Sequence, residues 1–188
     1  MLYKLEQLIL YYNAIRIIPD HAFGLHTKLK EINLSFNMIH YVGSFAFENL
    51  LALRVLNLRY NKLFVLNNYA FAVEQVNPNL LLDLSNNYII FVSEETFRNQ
   101  VPKLLNISNN HLQSLSKSNF ENMLKTMTTE SYGMIVTKGN RFLCTCENSA
   151  WWVILPYVSK QYIKGFVCSD LNINLMNVTF KDIRCKEN

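Results

Sequence analysis

The chain has 188 residues, of which 50% are hydrophobic and 17% charged, with a formal net charge of +4. That is enough apolar material for one continuous core plus a small terminal unit, and the mild charge gives no argument by itself for nucleic acid or an anionic membrane. The longest apolar run, Ala150 to Val158, contains Pro156 and falls far short of the roughly 20 residues that cross a bilayer.

From the N-terminus, Lys4, Glu6 and Gln7 interrupt the first apolar stretch, so it does not read as a signal peptide. Leu2 and Leu5 read instead as the last part of an earlier repeat unit. The chain then begins inside a repeat with no polar cap, which predicts a fragment of a longer array. The alternative is a complete chain whose first strand is covered by a partner.

A phrase then recurs every 24 residues. Leu5, Leu8, Leu10, Asn13 and Ile15 return as Leu29, Ile32, Leu34, Asn37 and Ile39, and again as Leu53, Leu56, Leu58, Asn61 and Leu63. This L-x-x-L-x-L-x-x-N-x-L pattern predicts a stacked solenoid, and so a binding surface rather than a catalytic pocket. Leu8-x-Leu10 alternates as a strand does. Asn13 ends the strand, and the asparagines at 13, 37 and 61 should form a ladder that satisfies buried loop backbone.

Three less regular units follow. Leu82, Leu84, Asn87 and Ile89 form the fourth, and Leu105, Ile107, Asn110 and Leu112 the fifth. Ile135 and Asn140 mark a sixth after a 30-residue interval, with Thr137 in an apolar slot. Asn79 and Pro102 replace the first leucine, so these two strands are expected to start late. A second stripe, Ala22-Phe23, Ala46-Phe47 and Ala70-Phe71, continues through Phe97 and Phe120. Phenylalanines stacked opposite strands roughly 4.8 Å apart would bend the array, giving a curved α/β solenoid with parallel strands on its concave face. The repeats occupy residues 1–139.

All four cysteines, Cys144, Cys146, Cys168 and Cys185, follow the repeats. An even number confined to residues 140–188 predicts a stapled terminal cap in an oxidising compartment. Cys144 and Cys146 are poor partners, because residues two apart on a strand lie about 6.6 Å apart; two cross-pairings remain open. The competing reading is a four-thiolate zinc site, although paired C-x-x-C spacings are absent. Trp151, Trp152 and Leu155 have helical spacing and should plug the open end of the core.

The unit Leu29 to Asn37, the Ala-Phe stripe, the block Gly139 to Cys146, Trp151-Trp152 and the later Cys168 and Cys185 together resemble a Toll-like receptor. The match is to the C-terminal leucine-rich repeats and cysteine-rich cap of its ectodomain. The resemblance covers essentially the whole chain, although secreted and adhesive leucine-rich repeat proteins share the cap. It implies the pairs Cys144–Cys168 and Cys146–Cys185. It also implies a membrane span after Asn188, then a cytoplasmic signalling domain, with this segment on the extracellular side. The parent would bind microbial or endogenous ligands, form receptor homo- or heterodimers, and signal in innate immunity. The alternatives are a secreted or matrix-associated adhesion protein of the same architecture, and an intracellular scaffold with reduced cysteines.

Two surfaces are candidates for binding. Gln7, Glu31, Val55, Leu81 and Leu104 share one outward strand position, which turns apolar toward the C-terminus and gains Leu80. A shifted register at Asn79 would instead bury some of these leucines. The residue before the ladder asparagine is aromatic at Tyr12, Phe36 and Tyr60, which suits an interface edge. Lys30, Arg54, Arg59 and Lys103 add positive charge, diluted by Glu6, Glu31 and Asp83, so nucleic acid is the weaker ligand class.

Three N-x-S/T sequons begin at Asn33, Asn106 and Asn177. Asn33 and Asn106 share a slot, and glycans there would obstruct the concave face and move contact to the lateral edge. The histidines at 21, 26, 40 and 111 are scattered on turns and the convex side. No nucleophile elbow, phosphate loop or metal-binding histidine pair occurs, so neither an enzyme, a cofactor nor a metal is expected.

Overall fold

The computed structural model describes residues 4–24 and 26–185. Leu2, assigned above to an earlier unit, and Asn188 lie outside the described residues. Among the described residues nine strands precede the first helix: β1 Gln7–Ile9, β2 Ile17–Ile18, β3 Glu31–Asn33, β4 Tyr41–Val42, β5 Val55–Asn57, β6 Val65–Leu66, β7 Leu81–Asp83, β8 Phe91–Val92 and β9 Leu104–Asn106. Helix α1 spans Lys117–Glu130, followed by β10 Ile135–Val136, α2 Cys146–Ile154, α3 Tyr157–Lys160, β11 Ile163–Lys164, β12 Val167–Cys168 and β13 Ile173–Asn174. A 3-10 turn covers Leu175–Asn177.

The long sheet runs β1-β3-β5-β7-β9-β10-β11, with all neighbours parallel. Its central residues Ile32, Leu56, Leu82, Leu105 and Ile135 are fully buried. Register is fixed because a slip by one residue would turn this row to solvent. The sheet runs past residue 139 into β11. Two short parallel pairs, β2-β4 and β6-β8, line one flank, and β12-β13 is an antiparallel pair in the cap.

The asparagine ladder ties the units together. Asn61 Oδ1 accepts from Ile39 N at 2.9 Å, while its Nδ2 donates to Leu34 O and Leu58 O at 3.0 Å each. Asn37, Asn87, Asn110 and Asn140 repeat this geometry, each accepting from the unit before and donating to two carbonyls. Asn13 begins the series and, among the described residues, makes only the local bonds, to Leu10 O and Tyr11 O.

The phenylalanine stripe forms a spine. Ring centroids lie 5.3 Å apart for Phe23–Phe47, 5.8 Å for Phe47–Phe71, 5.7 Å for Phe71–Phe97 and 6.2 Å for Phe97–Phe120. These steps exceed the roughly 4.8 Å between strands, so the stack opens on the phenylalanine side and curves toward the strands.

The irregular units keep the register. β7 and β9 begin level with β5, pairing Val55 with Leu81 and Leu81 with Leu104, so the expected late start does not occur. The first donor of β9 to the neighbouring strand is Leu104 N, to Leu80 O at 3.2 Å, which leaves Pro102 outside the ladder. Leu80 takes the place of the missing leucine. It is buried, and its N–H bonds Asn77 O as Leu53 N bonds Leu50 O. The 30-residue interval holds α1, which buries Phe120, Met123, Leu124 and Met127. Thr137 is fully buried, and its hydroxyl donates to Lys164 O at 3.1 Å.

In the cap, Cys144 is joined to Cys168 and Cys146 to Cys185, with Cα–Cα distances of 5.4 and 5.0 Å. No cysteine is free, which removes the thiolates a zinc site would need. Trp152 is fully buried against Trp151 and Phe166, with centroids 3.8 and 5.7 Å away, and Phe166 stacks on Phe142 at 4.0 Å. Among the described residues no helix is long and apolar enough to cross a membrane.

Asn61→Ala should cost about 2–4 kcal/mol, since it orphans a buried N–H and two carbonyls. Asn13→Ala should cost about 0.5 kcal/mol or less, because its two bonds are exposed. Urea unfolding of both variants checks the contrast. Replacing Cys146 and Cys185 together by Ser opens a bridge spanning 39 residues and should cost about 2–5 kcal/mol, read from the same curves.

Candidate functional site

Tyr12, Phe36 and Tyr60 form a column along one edge of the sheet. Tyr12 stacks on Phe36 and Phe36 on Tyr60, both at 4.5 Å between centroids. Phe36 is sandwiched and half-buried, while Tyr12 and Tyr60 are 69% and 46% exposed. The Arg59 guanidinium lies 5.4 Å from the Phe36 centroid and 6.0 Å from that of Tyr60, within cation–π reach.

The backbone at this slot is left-handed in every unit. φ is 53° at Tyr12, 54° at Phe36, 55° at Tyr60, 54° at Asn86 and 52° at Asn109, and Gly139 closes the series at 81°. Asparagine and glycine accept this conformation readily; for other residues it costs roughly 1–2 kcal/mol. The fold therefore asks for Asn or Gly here, and the first three units carry rings instead. Stacking, at about 0.5–1.5 kcal/mol per pair, offsets part of that cost. Beyond Tyr60 the column becomes amides, with Asn109 Nδ2 donating to Asn86 Oδ1 at 3.2 Å.

A second left-handed column, not singled out in the sequence, lies beyond β2 and β4. His21, Phe45 and Tyr69 have φ of 54°, 55° and 62° and stack at 5.7 and 5.1 Å. His21 Nδ1 bonds Glu48, and Arg98 lies 5.9 Å from the Tyr69 ring. Its 24-residue recurrence was the available signal.

On the solvent face of the sheet, Val55, Leu81 and Leu104 are register neighbours, so they do form one row. Leu81 is exposed, and Val55 and Leu104 are half-buried. Leu80 is buried and drops out of that row, because it fills the missing leucine's slot. Gln7 and Glu31 continue the row as a polar pair, with Gln7 Nε2 donating to Glu31 Oε2 at 3.4 Å. Beside them Lys30 Nζ donates to Glu6 at 2.7 Å, and that hydrogen bond, with the charge of Lys30, holds the Glu6 carboxyl below its usual pKa.

Asn33 and Asn106 end their strands in equivalent slots. In each, Oδ1 accepts from the hydroxyl of the serine two residues on, at 2.7 Å, and from its N–H at 3.1 or 3.2 Å. Both are half-buried, and Asn177 is exposed in the cap. His40 and His111 are exposed on the flank of the short strand pairs rather than on the convex side. Among the described residues no cluster of His, Cys, Asp and Glu is arranged to hold a metal.

Tyr60→Asn should leave stability within about 1 kcal/mol of the parent chain, since it exchanges a stacked ring for a residue suited to the left-handed slot. Tyr60→Val should lose about 2 kcal/mol or more, because a β-branched side chain is a poor fit at φ 55°. Thermal unfolding of the two variants side by side makes the comparison.

A leucine rich repeat family model matches residues 27–73. No curated protein matches the chain in sequence. A solved octameric complex of Latrophilin 3, Unc5D and FLRT2, the last contributing a leucine-rich repeat (LRR) part, holds a chain similar over 98% of this one. The two are 18% identical with a TM-score of 0.62, and this chain spans 56% of that one. The human 5T4 structure (Wnt-activated inhibitory factor 1, trophoblast glycoprotein) is 19% identical over 96% of this chain and 88% of that one, with a TM-score of 0.42. Repeat, ladder, sheet and matched segment agree: the chain has the leucine-rich repeat fold, a curved α/β solenoid with two disulfides in its C-terminal region.

Proposed function

We propose that this chain is a recognition segment of an extracellular leucine-rich repeat receptor of the Toll-like kind, acting by binding and receptor dimerisation without catalysis. The observation that carries the reading is the column of Tyr12, Phe36 and Tyr60, where stacked rings, the outer two exposed, occupy backbone positions that favour Asn or Gly. Rings held there against conformational preference point to a use outside folding. Two disulfides support an oxidising compartment. Residues 1–139 are the recognition array in this reading and residues 140–188 the cap that precedes the membrane anchor of the parent. Glycans on Asn33 and Asn106 would stand over the sheet and leave the aromatic edge open; Asn177 is the third acceptor. Val55, Leu81 and Leu104 form a secondary contact row.

The runner-up is a secreted or matrix-associated adhesion protein. It is favoured by the similarity to a chain from a complex in which FLRT2 is assembled with Latrophilin 3 and Unc5D.

The test is biolayer interferometry of the secreted chain against bacterial lipopeptide, lipopolysaccharide, double-stranded RNA and the chain itself. The same measurements are made on a Tyr12→Asn, Phe36→Asn, Tyr60→Asn variant. Saturable binding to one of these, weakened at least about tenfold in the variant at unchanged thermal stability, is the expected result. Binding that survives the triple change removes the column from the site. Binding to none of them, with saturable adhesion to cultured cells, moves the reading to the adhesion protein.

A further inference from the structure

The flank that begins at the aromatic column carries no acid. Residues 9–18, 35–42, 59–66, 85–92, 108–115 and 138–143 run side by side, joined by bonds such as Met38 N to Ile15 O, Lys62 N to Ile39 O, Tyr88 N to Leu63 O and His111 N to Ile89 O. None of these segments contains Asp or Glu, although the chain has 14 of them. They contain five cations, Arg16, Arg59, Lys62, Lys138 and Arg141, all exposed.

Large apolar side chains stand between these charges. Ile17, Met38, Phe64, Ile90 and Phe91 are each 42–53% exposed or, for Phe91, 55%. So many exposed apolar groups on one flank exceed the scattered few that a solvated surface shows. Two of the cations are held against rings. Lys62 Nζ lies 5.0 Å from the Tyr88 centroid and donates to its hydroxyl at 3.3 Å, as Arg59 lies over Phe36.

Chemistry narrows the occupant. A second copy paired flank to flank would set cation against cation. A single-stranded nucleic acid stacks its bases on ring faces; in the column both faces of Phe36 are taken by Tyr12 and Tyr60 at 4.5 Å, and the exposed rings of Phe64 and Phe91 stand among aliphatic Ile17, Met38 and Ile90, which offer bases no such face. A bilayer needs an apolar face set apart from a charged one, and here Lys62 and Phe64, or Arg16 and Ile17, stand within two residues of each other on the same segment, all exposed. A protein surface carrying carboxylates between apolar side chains matches both components.

We infer that this flank docks an acidic protein face with apolar anchors. The inference rests on the reading of the aromatic edge as the recognition surface, and extends that surface through β2, β4, β6 and β8. The carboxylates set approach and orientation, and the apolar contacts supply most of the affinity.

The experiment uses the disulfide-bonded 188-residue chain and fluorescence anisotropy with four probes. These are a 14-residue peptide alternating Glu with Leu and Phe, its Lys-for-Glu counterpart, a 20-nucleotide oligothymidylate, and phosphatidylserine vesicles. Binding of the acidic peptide alone, weakened about tenfold by Arg59→Glu with Lys62→Glu and by 500 mM NaCl, is expected. It should also be weakened by Phe64→Ser with Phe91→Ser. Circular dichroism and melting temperature confirm that each variant is folded. Suppose the basic peptide, the oligonucleotide or the vesicles bind instead and are lost in the Phe64, Phe91 variant. The flank then stays a recognition surface and the acidic partner is overturned. A dimer in sedimentation that either variant dissociates overturns it in favour of a second copy. No probe bound, or binding that neither variant changes, overturns the acidic partner and the extension of the recognition surface together. The triple asparagine variant above judges the aromatic column separately.

Discussion

Every unit of this chain turns back on itself next to the core, and the turn leaves backbone groups that no strand can pair. The asparagine amide resolves this. It has one acceptor and two donors on a short arm, and the ladder uses all of them, one toward the unit before and the others on carbonyls of both units. Because each amide from Asn37 onward binds two units at once, the bonds that close one turn also fix the distance to the next. The strand register, the phenylalanine spine and the exposed columns all inherit that spacing.

The spacing then acts differently on each side. Beside the strands, rings repeat at 4.5 Å, while in the spine they repeat at 5.3–6.2 Å. The difference is the curvature, set by side-chain thickness opposite the backbone pitch. The same turn that points an asparagine inward puts its predecessor in the left-handed region, with its side chain at the edge. A slot with a fixed pitch and exposed direction can carry rings, amides or no side chain, and this chain uses all three in order. Side-chain chemistry can therefore vary along the edge while the ladder beneath stays constant.

Much of this was legible in the sequence because leucine and asparagine recur at a fixed interval. The interval located β1, β3 and β5, the ladder and the phenylalanine spine, and the cysteine cluster located the cap. The late start expected at Asn79 and Pro102 does not occur, because a strand's first leucine lies outside its paired residues. Pairing starts two residues later, so neither substitution delays it. Of the two readings of Leu80, exposed beside the outward row or buried by a shift at Asn79, the second holds: a one-residue displacement carries it into the vacant core slot. The flank of Met38, Phe64, Tyr88 and Phe91 was missed for a different reason. Its residue types differ from unit to unit, so no motif marks it; its common property is the absence of acid, which shows only when the segments lie side by side.

Side-chain amides hold the units together as firmly as the strands do. Native-state hydrogen exchange of single amides measures this directly. The N–H groups of Ile39, Leu63 and Ile89 each donate to a ladder asparagine, at 2.9, 3.1 and 3.0 Å. They should exchange as slowly as the strand amides of Ile32, Leu56 and Leu82, opening only when the array unfolds. Exchange at the rate of exposed loop amides, with the strands still protected, would contradict it and leave the asparagines as local turn formers.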